Sequence, residues 1–131
     1  MATEVMTIAD TDVLIDFLSA SEPTAGRVRR ELQHGNLATT VITRFELLSG
    51  ARSARALRAI GQLMDSIRTM ELDNAAADRA AAVRRMLERK GSEIGMADSL
   101  IAGIVLHVSG ILLTRNRRHF ERVEGLTLAA L

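Results

Sequence analysis

The chain has 131 residues, and its 17 basic and 16 acidic side chains leave a formal charge of +1, so no strong whole-molecule field steers it toward nucleic acid or membrane. Its 47% apolar and 25% charged residues are those of an ordinary soluble globule, one domain over residues 1–131 with enough chain to bury a core. The absence of cysteine excludes disulfides, thiol nucleophiles and cysteine-held zinc and suits a cytoplasmic setting, and an aromatic share of 2% argues against base-stacking platforms.

No leader is expected at MATEVMTIAD, which carries Glu4 and lacks a basic stretch followed by an apolar one. Met6–Ala9 then reads as a short buried strand ending at Asp10. Val13, Leu14, Phe17 and Leu18 recur at helical spacing. Ser21–Thr24 is a turn with Pro23 at a helix start, and the helix that follows runs to about His34, closed by Gly35-Asn36. Leu37–Ile42 is β-rich and predicts a second strand. Thr43 is placed as the cap of a helix carrying Phe45, Leu47 and Leu48 and ending at Gly50.

Leu57, Ile60, Met64 and Ile67 mark the apolar face of a further helix, suited to core or to a partner. Met70–Leu72 predicts a brief strand. A long helix begins at Asn74, turns Ala76, Ala80, Val83 and Leu87 inward and stops at Gly91. The next helix runs from about Met96 to Ser109, with Gly110 past its end, and leads into a strand Ile111–Thr114. The apolar run Ser99–Leu113 falls short of the roughly 18 residues a membrane span needs, so it reads as buried helix, turn and strand. Leu126–Leu128 predicts a last strand. Strands alternating with helices give an α/β fold with a mostly parallel sheet of four to five strands, helices on both faces.

In such sheets ligands bind beyond the carboxyl ends of the strands. There the sequence sets Asp10 and Asp12, Glu46 in the first turn of the helix after the second strand, Asp98 near the start of the helix entering the fourth, and Asn116 just after Thr114. Carboxylates brought together repel one another, and Mg²⁺ or Mn²⁺, which prefer oxygen ligands, would resolve the repulsion. Phosphodiester hydrolysis is the reaction that best fits such a site. Each residue also has a plain reading. Asp10 ends a strand as a turn former, Asp12 caps a helix, Glu46 complements a helix dipole and Asn116 is a loop residue. Asp98 is sharper, because it opens a helix apolar on nearly all sides and is drawn inward.

TIADTDVLIDFL, TRFELLSG, MADSLIAGIVL and ILLTRNRRHFERVEGLTL resemble the successive motifs of PIN-domain ribonucleases, most of all the VapC toxins of type II toxin–antitoxin pairs. The resemblance runs from Thr7 to Leu128. It implies a three-layer α/β/α sheet and an Mg²⁺- or Mn²⁺-dependent endoribonuclease, in which a water held on the metal by an acidic cluster hydrolyses RNA. By motif matching the catalytic set is Asp10, Glu46, Asp98 and Asn116. Asp10 and Asp98 hold the metal, and Glu46 is the acid placed to take the water's proton. Thr114 matches the hydroxyl residue lining the pocket. Arg115, Arg117 and Arg118 suit a clamp on the RNA backbone and equally a solvated loop. Two positions depart from the family: an acid often stands where His119 does, and Asp12 replaces a neutral residue. The implied partners are a small antitoxin that plugs the pocket and a second copy of the chain, with DNA met only through the antitoxin. His34 and His107 read as structural.

The alternative is a PIN fold kept as a protein-binding module after loss of catalysis, which the presence of Asp10 and Asp98 disfavours. A nucleotide-binding α/β protein would need a glycine-rich phosphate loop, and none occurs. A phosphatase or receiver-like domain would need a well-placed lysine, and Lys90 lies at a helix end.

Overall fold

The computed structural model describes residues 5–131; residues 1–4, including the Glu4 that bears on a leader, lie outside the described residues. Strand β1 (Thr7–Ala9) is followed by α1 (Thr11–Leu18), α2 (Thr24–His34), β2 (Leu37–Thr40), α3 (Val41–Gly50), α4 (Ala54–Ser66) and β3 (Arg68–Met70). Then come α5 (Asn74–Arg89), α6 (Met96–Val108), β4 (Ile111–Leu113), the short α7 (Arg117–Phe120) and β5 (Thr127–Leu128). The five strands pair in the order β3-β2-β1-β4-β5, all parallel, with Thr7 level with Leu37 on one side and Ile111 on the other.

Successive strand residues face opposite sides, and this splits the core in two. Ile8, Ala38 and Leu112 pack with Ile101, Ile104 and Val105 of α6 and with α5 behind it. Ala9, Leu37 and Leu113 pack with Val13, Leu14, Val28, Leu47 and Ile60 of α1 to α4. The architecture is therefore the three-layer α/β/α fold. α6 lies between the sheet and α5, which is why its sequence is apolar all round. Its Gly103 permits the crossing: a Cβ there would stand 2.5 Å from Ala80 Cβ and 2.7 Å from Ala76 O. Among the described residues no helix is long and apolar enough to cross a membrane.

Several boundaries differ from the sequence reading. β2 ends at Thr40, whose hydroxyl accepts from Thr43 N and caps α3. Thr43 is thus inside the helix rather than its cap, and Val41-Ile42 are helical despite their β-branched side chains. β3 falls two residues early, at Arg68–Met70 instead of Met70–Leu72. Ile67 lies just past α4, so its apolar face is core at Ile60, Leu63 and Met64, while Leu57 is 48% exposed. The left-handed residue closing α6 is Ser109, with φ of 55°, not Gly110. Gly110 is small for another reason, since a Cβ would meet Ile8 Cδ1 at 2.6 Å. The helix α7 was not anticipated; it is a single polar turn, RRHF, pinned by the fully buried Phe120.

Candidate active site

The chain builds β1, β2 and β3 in one direction, then returns to add β4 and β5 on the other side of β1. The carboxyl ends of β1 and β4 therefore flank the point where strand order reverses, the favoured crevice of open α/β sheets. Asp10 follows β1 and Thr114 follows β4. Asp10, not Asp12, is the N-cap of α1, with its Oδ1 accepting from Thr11 N at 2.8 Å. Its Oδ2 accepts from the Thr114 hydroxyl at 2.7 Å. Thr114 is fully buried and Asp10 only 6% exposed.

Asp12 lies in the first turn of α1. Its Oδ2 accepts from Arg115 N at 3.0 Å and lies 3.5 Å from the Thr114 hydroxyl, while its Oδ1 is buried with no hydrogen-bond partner. The hydroxyl has one proton, and the shorter contact gives it to Asp10. Burial pushes the Asp10 carboxyl from 3.8 up to about 6; the Thr114 and Thr11 hydrogen bonds oppose this, and the charges of Asp12 and Asp98 add to it. Asp12 is also raised, chiefly by burial, against the Arg115 backbone N–H and the Arg115 charge.

The second half of the site lies on α6 and α7. Asp98, in the first turn of α6, accepts from Asn116 Nδ2 at 3.3 Å and stands 3.2 Å from His119 Nδ1. Asn116 Nδ2 is 3.0 Å from the same ring nitrogen. Asn116 N donates to Thr114 Oγ1 at 3.0 Å, so one hydroxyl links the Asp10 half to the Asp98 half. Glu46 sits in the second turn of α3, not the first, because the helix starts at Val41. Its Oε1 accepts from the Thr11 hydroxyl at 2.6 Å, which ties it to the residue after Asp10. An apolar groove of about 460 Å³ opens beside Glu46, lined by Ile15, Leu18, Leu47, Ala56 and Ile60 among others.

The three arginines after β4 part company. Arg115 pairs with Asp16 at 2.7 Å, and Arg117 donates to Ala129 O at 2.6 Å and lies 3.8 Å from Glu121. Arg118 is exposed and has no such contact among the described residues. His107 Nε2 stands 3.4 Å from Asp73 Oδ2, at the N-cap of α5, and His34 ends α2. Sequence reasoning noted His119 only as a departure from the family's acid and gave Thr11 no place in this web. A His one turn beyond Asn116 was the available sign for the first; nothing marks the second.

The donor set suits a hard cation. The charges of Asp12 and Asp98 raise the cost of ionising Asp10, no Lys or Arg side chain pairs with Asp10 or Asp98 among the described residues, and Asp12 Oδ1 lacks a partner. Among the same residues no three acids or histidines stand close enough to grip one ion outright.

A parallel sheet with acids gathered at its strand-order reversal defines the class, and a family model described as PIN domain matches residues 7–126: the chain belongs to the PIN-domain family. Within it the resemblance is to VapC proteins. The chain is 34% identical over 121 residues to the tRNA(fMet)-specific endonuclease VapC of Shigella flexneri, covering 89% of this chain and 91% of that protein. It is 31% identical over 121 residues to ribonuclease VapC10 of Mycobacterium tuberculosis strain H37Rv, covering 92% and 90%. Its fold matches a chain of the DNA-bound VapBC structure from Salmonella typhimurium with a TM-score of 0.86 at 28% identity, over 96% and 98% of the two chains.

Proposed function

We propose that this protein is a divalent-metal-dependent endoribonuclease, the toxin of a type II toxin–antitoxin pair acting in the cytoplasm. The observation that supports this most is the convergence of Asp10 and Asp98, from chain segments 88 positions apart, on one Thr114–Asn116 bridge at the sheet edge. The names of the VapC relatives add weight.

Asp10 and Asp98 hold Mg²⁺ or Mn²⁺, directly or through water. When bound, the ion supplies a Lewis acid that favours deprotonation of water and neutralises charge developing on the phosphate. The residues of the chain do the rest. Thr114 fixes Asp10 by its single proton, and Asn116 orients Asp98. Glu46 accepts the proton of the water that attacks phosphorus in line. Arg118, which pairs with no acid among the described residues, meets the RNA backbone; Arg115 and Arg117 mainly hold the loop in which Asn116 lies.

The partners follow the same reading. A small antitoxin lays an apolar segment in the groove beside Glu46. The exposed Ile15, Phe45 and Leu57 (50%, 70% and 48% accessible) suit it or a second copy of the chain, and DNA is reached through the antitoxin. The test is cleavage of a defined RNA panel, transfer RNA first, with Mg²⁺, Mn²⁺ or EDTA, beside Asp10→Asn prepared identically. Cleavage that needs metal and vanishes in the variant is the expected result; equal cleavage by both proteins would refute the assignment.

A further inference from the structure

The contacts of His119 are not explained by packing. α7 is one turn long, and Phe120, fully buried, anchors it to the core. That anchor brings the His119 ring back over the start of α6. There Nδ1 meets Asp98 Oδ2 at 3.2 Å and Asn116 Nδ2 at 3.0 Å, while Asn116 Nδ2 meets the same Oδ2 at 3.3 Å. Three polar atoms thus form a nearly equilateral triangle.

No proton arrangement satisfies all three edges. The Asn116 amide nitrogen carries two hydrogens and points one at each neighbour; the reverse amide orientation would set its oxygen against a carboxylate. If Nδ1 accepts from Asn116, it is unprotonated, and its lone-pair side lies 3.2 Å from another acceptor, Asp98 Oδ2. If Nδ1 instead carries a hydrogen for Asp98, it faces the Asn116 donor with a donor. Two lone-pair atoms at that separation are what a cation requires. Bonds of about 2.1 Å at right angles set adjacent ligands about 3 Å apart, so the 3.2 Å between Nδ1 and Oδ2 already suits one octahedral ion once Asn116 gives up its contact with Nδ1. The pair is also open to entry, with side chains 42% and 23% exposed, leaving room for water to complete the shell.

We propose that His119 is a ligand residue of the cation site, with its Nδ1 and Asp98 Oδ2 taking adjacent corners of one ion, and that it tilts the site away from Mg²⁺ toward Mn²⁺ and later first-row ions. The proposal rests on the reading that Asp98 binds a divalent cation. Imidazole nitrogen favours transition metals, whereas an all-oxygen set suits Mg²⁺, so exchanging one oxygen donor for nitrogen changes the order of preference. When Nδ1 binds the ion, its single lone pair is no longer available to Asn116, which then donates to Asp98 alone. The competing role is a brace, in which Nδ1–H donates to Asp98 and no nitrogen touches the ion.

The experiment uses the full chain, freed of metal and loaded with Mn²⁺, and reads nitrogen coupling to the manganese by pulsed electron paramagnetic resonance. The variants are His119→Asp, His119→Gln and Asp98→Asn, each checked for folding by thermal melting. Directly coordinated imidazole nitrogen in the wild type, absent from both His119 variants, is the expected result. With it, the ratio of Co²⁺ to Mg²⁺ affinity measured calorimetrically should fall by roughly tenfold or more in His119→Asp. Manganese that binds through Asp98 but shows no coordinated nitrogen, or shows one that persists in His119→Gln, overturns the ligand role and leaves the proposed function standing. Manganese affinity indifferent to Asp98→Asn overturns both.

Discussion

The two halves of the acidic site hold their carboxylates in opposite ways. Asp10 is 6% exposed and gripped by neutral donors, a backbone N–H and a threonine hydroxyl, with its carboxyl pushed up to about 6 by burial. Asp98 is partly open, on a helix's first turn, and faced by side chains that can turn away, Asn116 and His119. One half is a fixed post that the fold keeps at a cost in stability; the other is an adjustable arm. On the proposed reading, a site that takes up an ion and gives up a product is served by having one of each.

The sharpest way to break the comparison is to remove each charge in turn. Asp10→Asn and Asp98→Asn should both abolish RNA cleavage, by about a hundredfold or more, since on the proposed reading each removes a charge that holds the ion. Their stabilities should differ. In metal-free buffer above pH 6, Asp10→Asn should melt at the same temperature as wild type or higher, because a buried, repelled charge is gone. Asp98→Asn should leave the melting temperature nearly unchanged. A large loss of stability in either would mark that residue as structural.

The pH dependence has a definite sign. Because the folded carboxyl of Asp10 is raised from 3.8 to about 6, the folded state binds more protons than the unfolded state between those values. Stability must fall as pH rises through that window, by up to about 3 kcal/mol from this group. Denaturant titrations at pH 4, 5, 6 and 7 check it, and both Asp10→Asn and saturating Mg²⁺ should flatten the slope. Next in size, Thr114→Val removes the hydroxyl linking the halves at nearly constant volume and should cost about 1–3 kcal/mol, together with most of the cleavage activity; chemical denaturation beside a cleavage assay measures both. The smallest effect separates the arginines. Arg118→Gln should lower the slope of log affinity against log salt for RNA by about 1, whereas Arg115→Gln, whose charge already faces Asp16, should change that slope less.

Much of this was legible from residues alone because strands here are short apolar runs ending in an acid or a hydroxyl. Ile8-Ala9-Asp10 and Leu112-Leu113-Thr114 announce both a strand and its active end. Asp98 was legible because an acid opening a wholly apolar helix needs a reason. What escaped did so for local causes. Val41 and Ile42 have strand propensity, yet the Thr40 hydroxyl caps the backbone there and the chain turns helical, moving Glu46 from the first turn to the second. α7 is one polar turn whose only anchor is Phe120, so no periodicity reveals it, and the meeting of His119 with Asp98 depends on that turn. Phe45 was read only as part of the apolar content of its helix, and it is 70% exposed; Leu47, two residues on, is the side chain buried in the core.

The hydrogen bond from Thr114 to Asp10 joins positions 104 apart. β1 is the middle strand, yet one of its two neighbours, β4, is made after β2, β3 and the helices between them. Until residues 111–116 emerge, the first-made acid has no hydroxyl to hold it, and Asn116 is not there to orient Asp98. A nascent chain can fold β1, β2 and β3 with their helices and still have no complete site. For an enzyme that cuts RNA, this sequence order acts as a delay: the growing polypeptide is inert while its first segments are tethered beside its own message and the ribosome's RNA, and becomes competent only after β4 and the loop behind it have emerged.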